Sequence, residues 1–245
     1  MSVLSYIQSQ HLAGQPLLAV LLDPEKPAAG KALFPHLNSV DMVLVGGSTS
    51  AECADFADFI GLIRAHTTRP VVLFPGNVAQ FTPAADALLF LSLLTARTSD
   101  VLIEPHIQAA PAIRASGIES IPMGYILIDG GHLSSVQRTT HSTPLPQTDI
   151  PAIVHTAIAA ELLGKDIIYL EAGSGAQTPV VQSVIRAVRE QTSVPLLVGG
   201  GICTPEQMTD AYRAGADIVV IGNHFEHHPE QLPLFIQAKN DYATR

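Results

Sequence analysis

Eight short apolar runs recur along the chain, each bounded by turn residues: Leu17 to Leu22, Met42 to Val45, Val71 to Phe74, Ala87 to Leu91, Gly124 to Ile128, Ile167 to Leu170, Leu196 to Val198, and Ile218 to Ile221. They are continuous instead of alternating, the pattern of parallel strands covered on both faces. Between most of them lie stretches with helical spacing, such as Ala152 to Leu163 and Pro179 to Glu190, the latter with Thr178 as N-cap and Pro179 in the first helical position. Thr98 to Ser120 is read as a helix on a weaker pattern. The Ser-, Thr-, Pro- and Gly-rich segment from Gly130 to Pro151 is read as a long loop, of the kind that serves as a lid or binding loop. Eight strand–helix repeats, with no G-x-G-x-x-G turn after the first strand, predict an α/β fold closed into a (β/α)8 TIM barrel over an open doubly wound sheet. No linker divides residues 1–245, so a single domain is expected.

Composition then limits the partners. Only 14% of the 245 residues are charged and 47% are hydrophobic, which supplies a large core and little for a solvated tail. A net charge of -9 with no cluster of Lys or Arg argues against nucleic acid, because phosphate-backbone binding needs a basic footprint. Any phosphate must therefore be held locally, by a metal ion, one or two cations and oriented backbone N–H groups. Cys53 and Cys203 show no C-x-x-C spacing, so neither a disulfide framework nor a zinc site is indicated. The chain start lacks a signal-peptide pattern and the run Leu17 to Leu22 is too short to span a bilayer, so a cytoplasmic protein without a transmembrane segment is expected.

In a barrel, chemistry gathers at the C-terminal ends of the strands. Those positions read Asp23-Pro24-Glu25-Lys26, Gly46-Gly47-Ser48-Thr49, Pro75-Gly76-Asn77, Glu171-Ala172-Gly173-Ser174-Gly175, Gly199-Gly200-Gly201-Ile202, and Gly222-Asn223. One glycine turn is ordinarily just a tight connection. Three in succession after the sixth, seventh and eighth strands point to a phosphate cup, where the missing Cβ lets backbone N–H groups approach an anion. Asp23 and Ser48, on neighbouring strand ends, offer a carboxylate and a hydroxyl suited to Mg²⁺, or else cap the helices that follow. Glu171, beside the cup, can accept a proton from a substrate hydroxyl or form a structural ion pair. His224, His227 and His228, like His132 and His141, are read as surface residues. Apolar side chains of Ala87 to Leu94 and Pro122 to Ile128 could line a channel for a hydrophobic substrate or simply fill the core.

The runs Leu22-Asp23-Pro24-Glu25-Lys26, Val45-Gly46-Gly47-Ser48, Leu73-Phe74-Pro75-Gly76, Leu89 to Leu94, Ile121 to Leu127, Tyr169 to Ala176, Val198 to Ile202 and Gly222-Asn223 resemble, in order, the successive blocks of the geranylgeranylglyceryl phosphate synthase family. The resemblance covers nearly the whole chain. It implies a modified TIM barrel that alkylates the 3-hydroxyl of sn-glycerol 1-phosphate with a polyprenyl diphosphate, releasing diphosphate and forming an ether-lipid precursor. By that pattern Asp23 and Ser48 hold Mg²⁺, and Lys26 contacts the diphosphate. Tyr169, Leu170, Glu171, Ala172, Gly173, Ser174, Gly175, Gly200, Gly201, Gly222 and Asn223 bind glycerol 1-phosphate, with Glu171 and Tyr169 as the catalytic pair. Two departures stand out: Glu25 where the family more often has aspartate, and Thr95 where it usually has asparagine. The donor is expected to be geranylgeranyl diphosphate, with a heptaprenyl donor as the alternative, and the family habit implies a homo-oligomer. A sugar-phosphate isomerase on the same scaffold and a non-catalytic prenyl-lipid binder are the competing readings. Whether Asp23 and Glu171 both face the cavity discriminates the binder.

Overall fold

The computed structural model describes residues 1–47 and 56–244. Eight parallel strands close into a barrel in sequence order, β1 (Leu17–Leu22), β2 (Met42–Val45), β3 (Val71–Leu73), β4 (Ala87–Leu93), β5 (Glu119–Leu127), β6 (Ile167–Glu171), β7 (Leu196–Gly199) and β8 (Ile218–Ile221), with β8 pairing back onto β1. Around and beneath them run α1 (Val3–Leu12), α2 (Pro27–Leu33), α3 (Phe56–Arg64), α4 (Ser99–Leu102), α5 (Glu104–Ser116), α6 (Ser135–Thr140), α7 (Ile150–Leu162), α8 (Gln182–Arg189), α9 (Pro205–Ala214), α10 (Asn223–His227) and α11 (Leu232–Ala243).

The continuous apolar runs are explained by two cores. Alternate strand residues such as Val43, Val45, Ile168 and Leu170 face the helices, while Met42, Leu44, Ile167 and Tyr169 fill the barrel. α1 closes the barrel's N-terminal end by burying Val3 and Ile7 in that inner core. Glu119, at the start of β5, accepts the backbone N–H groups of Val3 (2.7 Å) and Leu4 (2.9 Å), placing a carboxylate on the orphan donors and positive end of the α1 dipole.

Four sequence expectations change. The helix placed over Pro179 to Glu190 begins only at Gln182, with Val181 as its N-cap. The segment before it is held extended because Gln147 bonds the Pro179 carbonyl and the Val181 N–H, and the Gly130 carbonyl accepts from Gln177 and Thr178. The segment 130–151 is not uniformly loop, since Ser134 and Gln137 form a capping box that starts α6. Residues 98–120 hold two helices, with Pro105 early in α5, and the first two residues of β5; α5 buries none of its residues, which accounts for its weak periodicity. Finally, β5 starts at Glu119 instead of Gly124.

The wall is incomplete at one place. β4 pairs with β5 over seven residues, from Ala87 opposite Glu119 to Leu93 opposite Tyr125, but with β3 only through Ala87 and Leu88. Between β3 and β4 stands a single 3₁₀ turn, Val78–Gln80, instead of a helix. The upper half of β4 therefore carries no partner strand on that side among the described residues, and the barrel interior opens laterally there. Among the described residues no helix is long and apolar enough to cross a membrane.

Candidate active site

The strand ends open into one cavity of about 860 Å³, near the upper end of the roughly 300–1,000 Å³ usual for ligand sites. One end is polar. It is lined by Gly173, Ser174 and Gly175 after β6, Gly200 and Gly201 after β7, and Gly222 and Asn223 at the start of α10, with Asp23 and Lys26 across the mouth. Ser174 Oγ donates to Asn223 Oδ1 at 3.0 Å and so ties the β6 and β8 loops together. The other end is apolar, running past Phe74, Phe81, Phe90, Val101, Ile113 and Val136 through the opening between β3 and β4 and under α5 and α6.

Glu171 sits where the two ends meet. It is buried at 7% exposure, and its Oε1 accepts the Gly173 N–H at 2.7 Å. Burial raises its proton affinity above that of an ordinary glutamate, opposed by hydrogen bonds from Tyr169 and from the Gly173 N–H. Tyr169 and Tyr125 are pushed well above the usual phenol range, first by burial and then by the Glu171 charge, so both remain hydrogen-bond donors at neutral pH. This arrangement depends on glycine across the strand pair. A Cβ on Gly199 would overlap Tyr169 Oη and lie 3.0 Å from Glu171 Oε2. At Gly200, with φ +82°, a Cβ would overlap Glu171 Oε1 and stand 2.7 Å from the Gly173 nitrogen.

Three aromatic rings cover the junction: Phe74 lies 6.1 Å from Tyr125 and 5.6 Å from Tyr169, and the two tyrosines meet edge-on at 5.4 Å. Their stacking follows from the strand alternation that turns Tyr125 and Tyr169, paired in register, into the barrel.

Asp23 is half-buried at the mouth, its Oδ1 accepting the Glu25 N–H at 3.0 Å. Burial raises its pKa, Glu25 N–H and Lys26 oppose that, and the Glu226 carboxylate adds to it. Lys26 Nζ is 2.7 Å from Glu226 on α10, so the expected diphosphate contact is an ion-paired cation at the rim. Among the described residues no group of three or more His, Cys, Asp or Glu side chains could hold a metal. Asp23 suits the other mode, in which Mg²⁺ keeps its waters and takes further ligands from substrate phosphates. Ser48 lies outside the described residues.

Of the sequence candidates, Asp23, Lys26, Tyr169, Glu171, Gly173, Ser174, Gly175, Gly200, Gly201, Gly222 and Asn223 all line the cavity. Leu170 and Ala172 do not, because strand alternation turns their side chains into the outer core. His227 and His228 are exposed, as expected of surface residues, while His224 on α10 is half-buried with its Nε2 3.0 Å from Gln231 Oε1; all three also line the cavity rim. The sequence did not single out Phe74, Phe81, His106 or Glu226. Phe74 ends an apolar run and could have been found there; the others lie in segments without a distinguishing pattern.

The sequence profile of the PcrB family matches residues 15–239. A protein of Zunongwangia profunda named geranylgeranylglyceryl phosphate synthase is 46% identical over 219 residues, covering 86% of this chain and 91% of its own. One of the same name from Spirosoma linguale is 41% identical, covering 94% of each. The crystal structure of (S)-3-O-geranylgeranylglyceryl phosphate synthase from Thermoplasma acidophilum in complex with its substrate sn-glycerol-1-phosphate superposes with a TM-score of 0.89 at 31% identity, covering 98% of this chain and 99% of that one. A hyperthermophile tryptophan synthase α-subunit, at 14% identity and a TM-score of 0.57, shares the fold alone.

Proposed function

The chain belongs to the PcrB family, its relatives being named geranylgeranylglyceryl phosphate synthase, and from that premise we propose that it transfers a polyprenyl group from its diphosphate to the 3-hydroxyl of sn-glycerol 1-phosphate. The observation that carries this reading is the position of Glu171, buried in a cavity lined both by a glycine-rich cup and by an apolar groove. A small polar phosphate ester fits one end and a long hydrocarbon the other.

In the reaction the glycerol hydroxyl oxygen bonds to the first prenyl carbon, the allylic C–O bond breaks, and diphosphate departs with the bonding pair. The hydroxyl proton passes to the Glu171 carboxylate, which Tyr169 Oη and the Gly173 N–H hold in place. The cup amides after β6 and β7 fix the phosphate of the acceptor, so the nucleophile is presented in one orientation. Positive charge developing on the allylic carbon faces the rings of Phe74, Tyr125 and Tyr169. Mg²⁺ bound at Asp23, with Ser48 as its second protein ligand, would neutralise the departing diphosphate. Lys26 adds a cation on the same side.

The apolar groove disfavours a sugar-phosphate isomerase, which needs a small polar pocket. Asp23 and Glu171 both face the cavity, which disfavours the non-catalytic binder. Metal dependence is tested by removing divalent cations with chelator and adding them back one at a time. Activity restored by Mg²⁺ in the wild type and absent at every Mg²⁺ concentration in Asp23→Ala is expected; full activity in chelator would contradict the metal role.

A further inference from the structure

We propose that His106 is a positioning residue for the prenyl donor: it fastens α5 to the unpaired edge of β4 and so sets the outer wall of the apolar groove. The proposal rests on the prenyl-transfer reading for what the groove holds. The fastening itself stands on geometry alone.

Leu94 donates its N–H to the Tyr125 carbonyl of β5 at 2.8 Å. By the two-residue alternation of a strand, Leu91 then turns its carbonyl the opposite way, toward β3. β3 has already ended, its last pair being Leu73 opposite Leu88, so no strand amide meets Leu91. His106 takes that place. Its Nε2 lies 2.7 Å from the Leu91 carbonyl and its Nδ1 2.8 Å from the Leu102 carbonyl at the end of α4. Carbonyl oxygens only accept and a neutral imidazole carries one N–H, so the Nε2–H tautomer bonds Leu91 and the Nδ1–H tautomer bonds Leu102. The ring also packs on Phe90 at 4.5 Å and lines the cavity.

The consequence follows from how little else anchors α5. None of its residues is buried, Ile103 before it and Ile107 within it are exposed at 52% and 59%, and Pro111 interrupts its interior hydrogen bonds. The inward side chains Pro105, Ala109 and Ile113 shape the groove only while the helix is held at this distance from β4. His106 touches neither the anion cup nor Glu171. Its effect should therefore fall on the hydrocarbon substrate and spare glycerol 1-phosphate.

The test compares wild type with His106→Phe, which keeps a ring against Phe90 but removes the ring N–H, and His106→Gln, whose amide can still donate to Leu91. KM is measured separately for geranylgeranyl diphosphate and for sn-glycerol 1-phosphate, together with hydrogen exchange of the amides of residues 104–116. In His106→Phe the expected results are at least a tenfold rise in KM for the prenyl diphosphate, KM for glycerol 1-phosphate within about twofold, and faster exchange in α5. His106→Gln should stay within about threefold of wild type in both constants. Unchanged prenyl KM, parallel rises in both KM values, or a Gln variant as impaired as the Phe variant would each overturn the proposal. If the wild type forms no product, the prenyl-transfer reading fails, while exchange still decides the fastening: faster in His106→Phe supports it, unchanged refutes it.

Discussion

At the scale of single residues, burial of the proposed base Glu171 has two opposite effects. As a base it must be ionised, yet burial raises its pKa, so turnover should fall as pH drops through a value above that of an ordinary glutamate, a limb absent from Glu171→Gln. For stability the sign reverses: a carboxyl with a raised folded pKa stabilises the fold when protonated and loses that contribution as pH rises through the folded value. Glu171→Gln should thus lower kcat roughly 10²–10⁴-fold while its melting temperature at pH 7 equals or exceeds that of wild type. A lowered melting temperature would mean that the ionised carboxylate is itself a structural tie. Gly200→Ala should fail differently, because the left-handed backbone costs about 1–3 kcal/mol and the new methyl displaces the Glu171 carboxylate. Both losses, in denaturant midpoint and in kcat, are expected together. Residues of this kind were legible in the sequence because strand ends with clustered glycine and acid are uncommon in an otherwise apolar pattern. Glu226 and His106 were not, since their roles arise from partners 200 and 15 positions away.

Secondary-structure elements divide by how they are anchored. Each of the eight strands was visible as an apolar run, because burial on both faces leaves no polar alternation to confuse the pattern. α8 was placed three residues early, because Thr178 and Pro179 have the chemistry of a helix start but Gln147, from a segment thirty residues before, holds that backbone extended. α5 was faint because none of its residues is buried: its inner face lines the cavity, with Ile113 only partly buried against the outer core. α1 gives the sharpest element-scale test. Glu119→Ala removes two charge-assisted bonds to the first amides of α1, each worth roughly 1.5–3 kcal/mol less the recovery by solvent. The urea midpoint should drop clearly with KM for both substrates unchanged, since the barrel's closed end is remote from the cavity. Altered KM values would show that the closed end communicates with the site.

At the scale of the whole molecule, the fold solves a problem of mismatched substrates. A regular barrel offers only a polar mouth; shortening β3 and replacing the following helix with a 3₁₀ turn opens the wall at β4, so a hydrocarbon can leave the axis sideways while the phosphate stays on it. The closed eight-strand topology could be read from the order of apolar runs. The opening could not, because it depends on where two strands stop pairing. With a net charge of -9 the global field repels anions, so the proposed phosphate substrates need local capture, by the cup amides and by the cation proposed at Asp23. The most direct measurement is incubation of the protein with labelled sn-glycerol 1-phosphate, Mg²⁺ and prenyl diphosphates from C10 to C35, followed by dephosphorylation and chromatography. A prenylglycerol ether that forms with a long donor, and is lost in Glu171→Gln, is the expected result. No ether with any donor in the wild type, or undiminished ether from Glu171→Gln, would contradict a prenyl transfer based on Glu171.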